Sequence, residues 1–426
     1  MLLSFSIDNY LSFRKKVTLD LKAGTIKEFA SDNLYSTSSW DYKVLKCLAI
    51  YGINSSGKTN ILKAFSFMRS FVLNSSKETQ ANEKIAIEPF ALNIENDNKA
   101  SFFEVEFLIK NRKFRYGFIA TQDIILQEWL FYTERRKEEH LFIRNKNDFD
   151  ISKKFRVDTK GKTDLLMTIT RANALFISVL SQFNNELAIE ITNWFQSNII
   201  IFDANQEECI NYTASLLSDE KYNIIHQILR ISDLGFTNVE QEIKDMAKKM
   251  GESESFLSAL HGDSAKRYSV KTKHKKYDSN DKPIDNVYFD LSKQESLGTQ
   301  RYFGLLGPIV NALLEQKSIW IDELDARLHT NLLHNIVRMF NSNKENPNGA
   351  QLIFTSHNPT LMKRNLRRDQ MIMVEKDNSE GTIVRSLYEK DPKVRNDASF
   401  DKDFLAGKYV KVPKIEIQLD LFGNAL

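Results

Sequence analysis

An apolar run from Cys47 to Tyr51 leads straight into Gly52-Ile53-Asn54-Ser55-Ser56-Gly57-Lys58-Thr59 and then into the helical pattern NILKAFSFMRSFVL. This order constrains the fold more than anything else in the chain. A buried strand, a glycine-bearing loop and an amphipathic helix in one piece form the opening unit of an α/β sheet. The loop spells GxxxxGK[ST], in which the glycines let successive backbone N–H groups turn inward around an anion at the N-terminus of the following helix. Lys58 then reaches the β- and γ-phosphates of a nucleotide, and the Thr59 hydroxyl can ligate Mg²⁺. The expected ATP-binding residues are therefore Gly52, Asn54, Ser55, Ser56, Gly57, Lys58, Thr59 and Asn60.

Two further strand ends carry chemistry. The run SIWIDELD, from Ser318 to Asp325, delivers Asp322 and Glu323 to a strand's carboxyl end. There Asp322 can join Thr59 in holding Mg²⁺, and Glu323 can orient or deprotonate the attacking water. QLIFTSHNPTLM runs a second apolar strand into Ser356-His357-Asn358. A histidine at such a strand end can hydrogen-bond the γ-phosphate or the water, since neighbouring strand ends gather around the ligand in α/β sheets. Glu323 and His357 are the expected catalytic residues. A weaker landmark is Glu295-Ser296-Leu297-Gly298-Thr299, a small polar turn before the helical pattern RYFGLLGPIVNALLEQ.

Organisation follows from pattern. Residues 1–150 read as short strands around the phosphate loop: a hairpin from MLLSFSIDNYLSF and KKVTLDL, then SFFEVEFLIKN, KFRYGFIATQD and ILQEWLFYTER as an antiparallel extension. Residues 151–265 read as a mainly helical insertion, the helical pattern running from about Leu165 to Met250 with Gly235 as a terminator. Residues 266–426 return to a globular half-lobe, beginning with two strands around a turn at Ser279-Asn280-Asp281. The fold class expected is thus α/β with mixed sheets and an inserted helical domain. Two cysteines, Cys47 and Cys209, offer no disulfide framework, the amino terminus has no signal-peptide pattern, and no apolar run is long enough to span a membrane. A cytoplasmic protein is expected. The net charge of +3 is too small to argue for nucleic acid by itself.

The order of these motifs, with the phosphate loop far upstream of Asp322, resembles the ABC-type P-loop ATPases in the branch of the RecF, Rad50 and SMC head domains and the Old-type proteins. The residues carrying the resemblance are Gly52 to Thr59, Ser296 with Gly298 as a signature-like turn, Asp322-Glu323, Asp325 in the D-loop position and His357 as the switch histidine. More closely, NYLSF, GINSSGKTN, ESLGT, IDELD, TSHNP and FLAGKYVKVP together resemble the AAA15 family of ATP-binding proteins, often described as abortive-infection or RloA-like ATPases. That resemblance implies an ABC-type head that binds ATP and Mg²⁺ and hydrolyses ATP across a head-to-tail interface with a second copy of itself, whose Ser296 and Gly298 act in trans. It also implies a sensor or scaffold role in an anti-phage system beside a separate effector such as a nuclease. Two features depart from the ABC pattern: Leu297 stands where the signature has a small residue, and no Q-loop glutamine is assignable, Gln122 and Gln127 reading as surface residues of strand turns.

Rival classes leave fewer marks. Asn145-Lys146-Asn147-Asp148 matches the guanine-specifying NKxD, but no DxxG precedes it, and the match is read as coincidence. A RecF- or SMC-like DNA-binding ATPase in repair is the alternative function. It would use a basic face, for which KTKHKK (Lys271 to Lys276) and KRNLRR (Lys363 to Arg368) are the candidates, although each also fits a solvated turn or helix face. The stretch after His357 is too short for a Toprim nuclease, so any nuclease is expected on a partner.

Overall fold

The chain begins with the predicted hairpin, β1 (Leu2–Asp8) antiparallel to β2 (Val17–Asp20) with Phe5 opposite Leu19. In this computed structural model all residues are described except 38, 78–79, 81, 98, 135–136, 154, 156–162, 245–266, 364, 391–397 and 411–426. A small hairpin, β3 (Leu34–Ser36) and β4 (Lys43–Leu45), precedes β5 (Cys47–Gly52), all six residues of which are buried. Helix α1 (Lys58–Asn74) follows the loop. Then β6 (Ser101–Ile109), β7 (Arg112–Ala120), β8 (Ile125–Thr133), β9 (Glu138–Asn145) and β10 (Asp148–Ile151) extend the first hairpin into a seven-stranded sheet of order β10-β9-β8-β7-β6-β1-β2. The NKND match is the β9–β10 hairpin turn, where Lys146 takes a φ of 52°.

The next stretch departs from an all-helical reading. Helices α2 (Phe176–Gln182), α3 (Glu186–Ser197) and α4 (Gln206–Leu216) are as expected, but Ile199–Ile201 form β11 and Asn238–Lys244 form β12. Three consecutive isoleucines are too short a run to show a period, and their β-branched side chains favour a strand once a sheet edge is available. Residues 245–250 of that reading lie outside the described residues. Strands β13 (Arg267–Tyr277) and β14 (Pro283–Asp290) form the expected hairpin, with Asp281 at φ 57° in its turn, and pair with β12 as a three-stranded sheet. Helix α5 (Leu297–Leu314), β15 (Ser318–Ile321), α6 (Thr330–Asn341), β16 (Gln351–Ser356), β17 (Met371–Lys376), β18 (Thr382–Ser386) and the short α7 (Phe400–Leu405) follow, and a further helix, Ile224–Ile231, lies in the stretch expected to be helical.

A six-stranded sheet, β11-β15-β16-β5-β17-β18, holds the site. Its strands are parallel except for β18, and β15, β16 and β5 stand in register with Ile321 beside Phe354 and Phe354 beside Ala49. Alternation along β5 sends Leu48 and Ile50 to one core and Cys47, Ala49 and Tyr51 to the other. Helix α1 fills the first core, between the two large sheets: Phe65 stacks on Trp320 with ring centroids 4.2 Å apart, and Phe5 of β1 meets both rings edge-on. The second core lies on the opposite face, beneath α4, α5 and α6. A mixed α/β fold built on a mainly parallel sheet is thus realised. Among the described residues no helix is long and apolar enough to cross a membrane.

Phe65 ties the helix behind the phosphate loop to both sheets. Phe65→Ala is expected to cost about 3–5 kcal/mol of stability, read as a lower urea midpoint, whereas Phe65→Leu should lose markedly less.

Candidate functional site

Burial of β5, β15 and β16 on both faces places their carboxyl ends side by side, and each end turns outward with a functional segment. The loop after β5 closes tightly. Ser55 takes a left-handed φ of 62°, and Gly57, at φ 105°, occupies backbone space that disfavours any side chain. Gly57 thereby turns the chain into α1 with Lys58 and Thr59 as its first residues. Lys58, almost fully buried, donates from Nζ to the carbonyls of Gly52 and Ile53, both at 2.9 Å. Burial lowers its pKa to about 8, against the opposing pull of Asp322, Glu323 and Asp325. Ser56 is buried with its hydroxyl unpartnered among the described residues, whereas Asn54 and Ser55 are exposed at the loop tip.

The acids are pinned before any ligand arrives. Thr355, buried at the end of β16, donates from Oγ1 to Asp322 Oδ1 at 2.7 Å and accepts the Glu323 N–H at 2.7 Å. Thr59 Oγ1 donates to the same Asp322 oxygen at 3.2 Å. A hydroxyl and a carboxylate oxygen are the hard donors Mg²⁺ prefers, and Mg²⁺ binds through few protein ligands plus substrate phosphates. Among the described residues no group of three or more His, Cys, Asp or Glu could cage a metal, so this donor pair suits an ion that arrives with a nucleotide. Glu323 is exposed and has a left-handed φ of 48°, which takes its side chain out of the line of β15. Asp325 accepts the His357 backbone N–H at 3.1 and 3.3 Å. The His357 imidazole is held below its ordinary pKa by partial burial and by Lys58, with the three carboxylates pulling the other way, which favours its neutral form.

Six of the expected residues, Lys58, Thr59, Asp322, Glu323, Asp325 and His357, are thus brought together. Asn60 points elsewhere: its amide donates to Ser12 Oγ, which also accepts from Thr382 Oγ1 while Thr382 Oγ1 contacts the Ser56 carbonyl. The signature-like turn is separate within one chain. Ser296 caps α5, accepting the Thr299 N–H at 3.1 Å, and Leu297 is exposed. A Cβ on Gly298 would lie 2.6 Å from the Arg327 carbonyl, so only glycine lets this turn pack on the segment after Asp325. No hydrogen bond among the described residues joins Ser296 or Gly298 to residues 52–60.

Several residues of this neighbourhood escape a sequence reading. Thr355 sits inside the TSHNP run but reads as one more β-branched strand residue. Beyond β11, Asp203 lies 3.5 Å from the buried Arg301 guanidinium and 3.9 Å from that of Arg327, which also donates to Gln206 at 2.9 Å. A glutamine thus opens α4, the helix after the strand beside Asp322, whereas the amides of Gln122 and Gln127 donate to the Ile87 carbonyl and to Asn145. The only prior signal for it was the isoleucine triplet ahead of it.

A family model described as "AAA domain, putative AbiEii toxin, Type IV TA system" matches residues 47–164 and 218–363, more than half of the chain and all of the segments just described from β5 and from Ser296 to His357. The chain belongs to this family. It is a P-loop ATPase family linked by its description to abortive infection and toxin–antitoxin systems, and membership accounts for the phosphate loop and for the nucleotide and Mg²⁺ that such loops take. The unmatched residues 165–217 include β11, Asp203 and the start of α4 at Gln206, so this AAA protein supplies that edge of its sheet from outside the matched stretches. No curated protein matches the chain.

Two outcomes follow from the geometry. Phosphates beside Lys58 favour its charged form and raise its pKa on binding, so above about pH 8 the free site must take up a proton to bind ATP. Affinity for a fluorescent ATP analogue should be flat from pH 7 to 8 and then fall by up to about tenfold per pH unit, and Lys58→Ala should abolish that slope. Thr355→Val should lower kcat for ATP by about tenfold or more while costing about 1–3 kcal/mol of stability, and Thr355→Ser should restore turnover in a steady-state phosphate-release assay.

Proposed function

We propose that this protein binds and hydrolyses ATP at an ABC-type composite site, the phosphate loop of one copy closing against Ser296 and Gly298 of another. The observation that carries the reading is the single cluster of Lys58, Thr59, Asp322, Glu323 and His357, with the signature-like turn exposed and turned to its own helix. Lys58 and the loop N–H groups bind the phosphates, and Thr59 with Asp322 would hold Mg²⁺. Bound Mg²⁺ would neutralise charge on the β- and γ-phosphates. Glu323 orients the attacking water and takes its proton, and neutral His357 hydrogen-bonds the γ-phosphate. Asp325 lies at the position where the D-loops of two copies would meet. The organisation is that of two ATPase half-lobes, 1–150 and 266–426, separated by the segment 151–265.

The cellular reading is the ATPase component of a bacterial abortive-infection system of AAA15 or RloA type, cytoplasmic and acting with a separate effector. It is supported by the family description and by the AAA15-like motifs, of which residues 411–413 of FLAGKYVKVP lie outside the described residues. The repair-ATPase alternative draws little support from the basic runs. Lys271 pairs with Glu242, Lys273 lies over Tyr288, Arg367 is buried on Asp369, and Arg368 bonds Glu28. Those four charges have partners, which leaves exposed Lys275 and Lys276, among the described residues, as the cations a phosphate-binding face would offer, while Arg364 lies outside the described residues.

A Glu323→Gln variant binds ATP without turning it over, and its closed pairs should accumulate. Sedimentation with ATP and Mg²⁺ should show about twice the nucleotide-free mass, and an unchanged mass would count against the composite site.

A further inference from the structure

Tyr51 is the residue before the glycine that opens the phosphate loop, and its side chain is fully buried on the face of the six-stranded sheet opposite α1. Phe404 of α7 covers its ring edge-on, with centroids 6.0 Å apart. The hydroxyl has no hydrogen-bond partner among the described residues. A buried, unmatched hydroxyl costs stability that phenylalanine, with the same ring, would not. Such a group calls for a reason, and one that fits a site able to close is an acceptor supplied in its other state.

The acceptor is at hand. Tyr51 pairs in register with Ser356, so the next residue, His357, begins the switch segment beside it. The His357 N–H is held only by the Asp325 carboxylate, in a shared contact of 3.1 and 3.3 Å. Burial, and then the negative charge of Asp325, pushes the Tyr51 phenol far above its ordinary range, so the hydroxyl keeps its proton and is available as a neutral donor. The strand that carries Tyr51 thus runs beside the segment whose first N–H the D-loop acid holds.

We propose that Tyr51 is a positioning residue for hydrolysis: when the site closes on ATP, the Asp325 carboxylate leaves the His357 N–H and accepts the Tyr51 O–H. The exchange fixes the D-loop against the strand that carries the phosphate loop and frees the switch segment to follow the γ-phosphate. No bond other than hydrogen bonds is made or broken, and the inference rests on the composite-site reading above.

Tyr51→Phe tests it because the two states predict effects of opposite sign. The nucleotide-free variant should melt at the same temperature as the wild type or higher, since an unmatched hydroxyl is gone. Its kcat should fall about tenfold or more with KM for ATP little changed, the loss of one hydrogen bond to a charged group at closure. In an Asp325→Asn background the same substitution should have much less effect on kcat, because the charged acceptor is absent. A Tyr51→Phe protein with wild-type kcat overturns the proposal while leaving the ATPase reading intact. A lower melting temperature also overturns it, since the hydroxyl would then have a partner in the resting state. Wild-type protein that fails to hydrolyse ATP at all overturns both.

Discussion

Everything at the site depends on the parallel hydrogen bonding of β15, β16 and β5. Parallel neighbours end on the same side of the sheet, so pairing Ile321 with Phe354 and Phe354 with Ala49 delivers Asp322, Thr355 and the phosphate loop to one rim. A slip of one residue along β16 would turn Thr355 into the sheet's opposite face and release both Asp322 and the Glu323 N–H. The register is enforced by the two cores. Trp320 and Ile353 face α1 while Ile321, Leu352 and Phe354 face α5 and α6, so no slipped pairing keeps every large side chain out of water. Burial in the sheet and placement of the carboxylates are therefore one constraint seen at two scales.

That constraint explains what could be read from the sequence. Segments whose chemistry is local were legible: the glycine-bearing loop between an apolar run and an amphipathic helix, the acid pair closing SIWIDELD, and the hairpin about Ser279-Asn280-Asp281. Each is a short-range pattern with a backbone reason. What escaped depends on contacts between distant segments. Thr355 matters because β16 lies between β15 and β5, which nothing within TSHNP reveals. Ser12 and Thr382 meet behind Gly57 from opposite ends of the chain, Thr382 donating its N–H to the Ser12 carbonyl. Strand β11 was hidden by its length, since three residues between helices carry no period. Ser296 shows the converse. A small polar residue before a helix is an N-cap on local grounds, and the structure uses it as one whatever else a second copy asks of it.

Some of the chain's left-handed backbone lies where the chemistry is expected. Ser55, Glu323 and Arg327 are non-glycine residues in the left-handed region, at φ 62°, 48° and 63°. Each such residue costs about 1 kcal/mol or more, and persists only where its surroundings over-determine it. Around Glu323 they do: its own N–H is held by Thr355 Oγ1, the Leu324 N–H by the Thr355 carbonyl at 3.1 Å, and its carbonyl accepts the Ala326 N–H at 3.0 Å. The acid pair is therefore preorganised by β16, and the energy for holding it comes from burial of that strand.

The phosphate-binding groups follow the opposite rule. Lys58 donates to two carbonyls of its own loop. These are neutral acceptors that phosphate oxygens can replace one for one, with charge added. In the proposed composite site, closure would exchange partners with little rebuilding of the loop. The binding energy gained when charged oxygens replace carbonyls would then be available to move the less firmly held elements, namely the Asp325–His357 contact and the turn at Gly298 resting on Arg327. A rigid acid pair beside exchangeable donors is the physical basis on which the proposal couples nucleotide occupancy to a second copy.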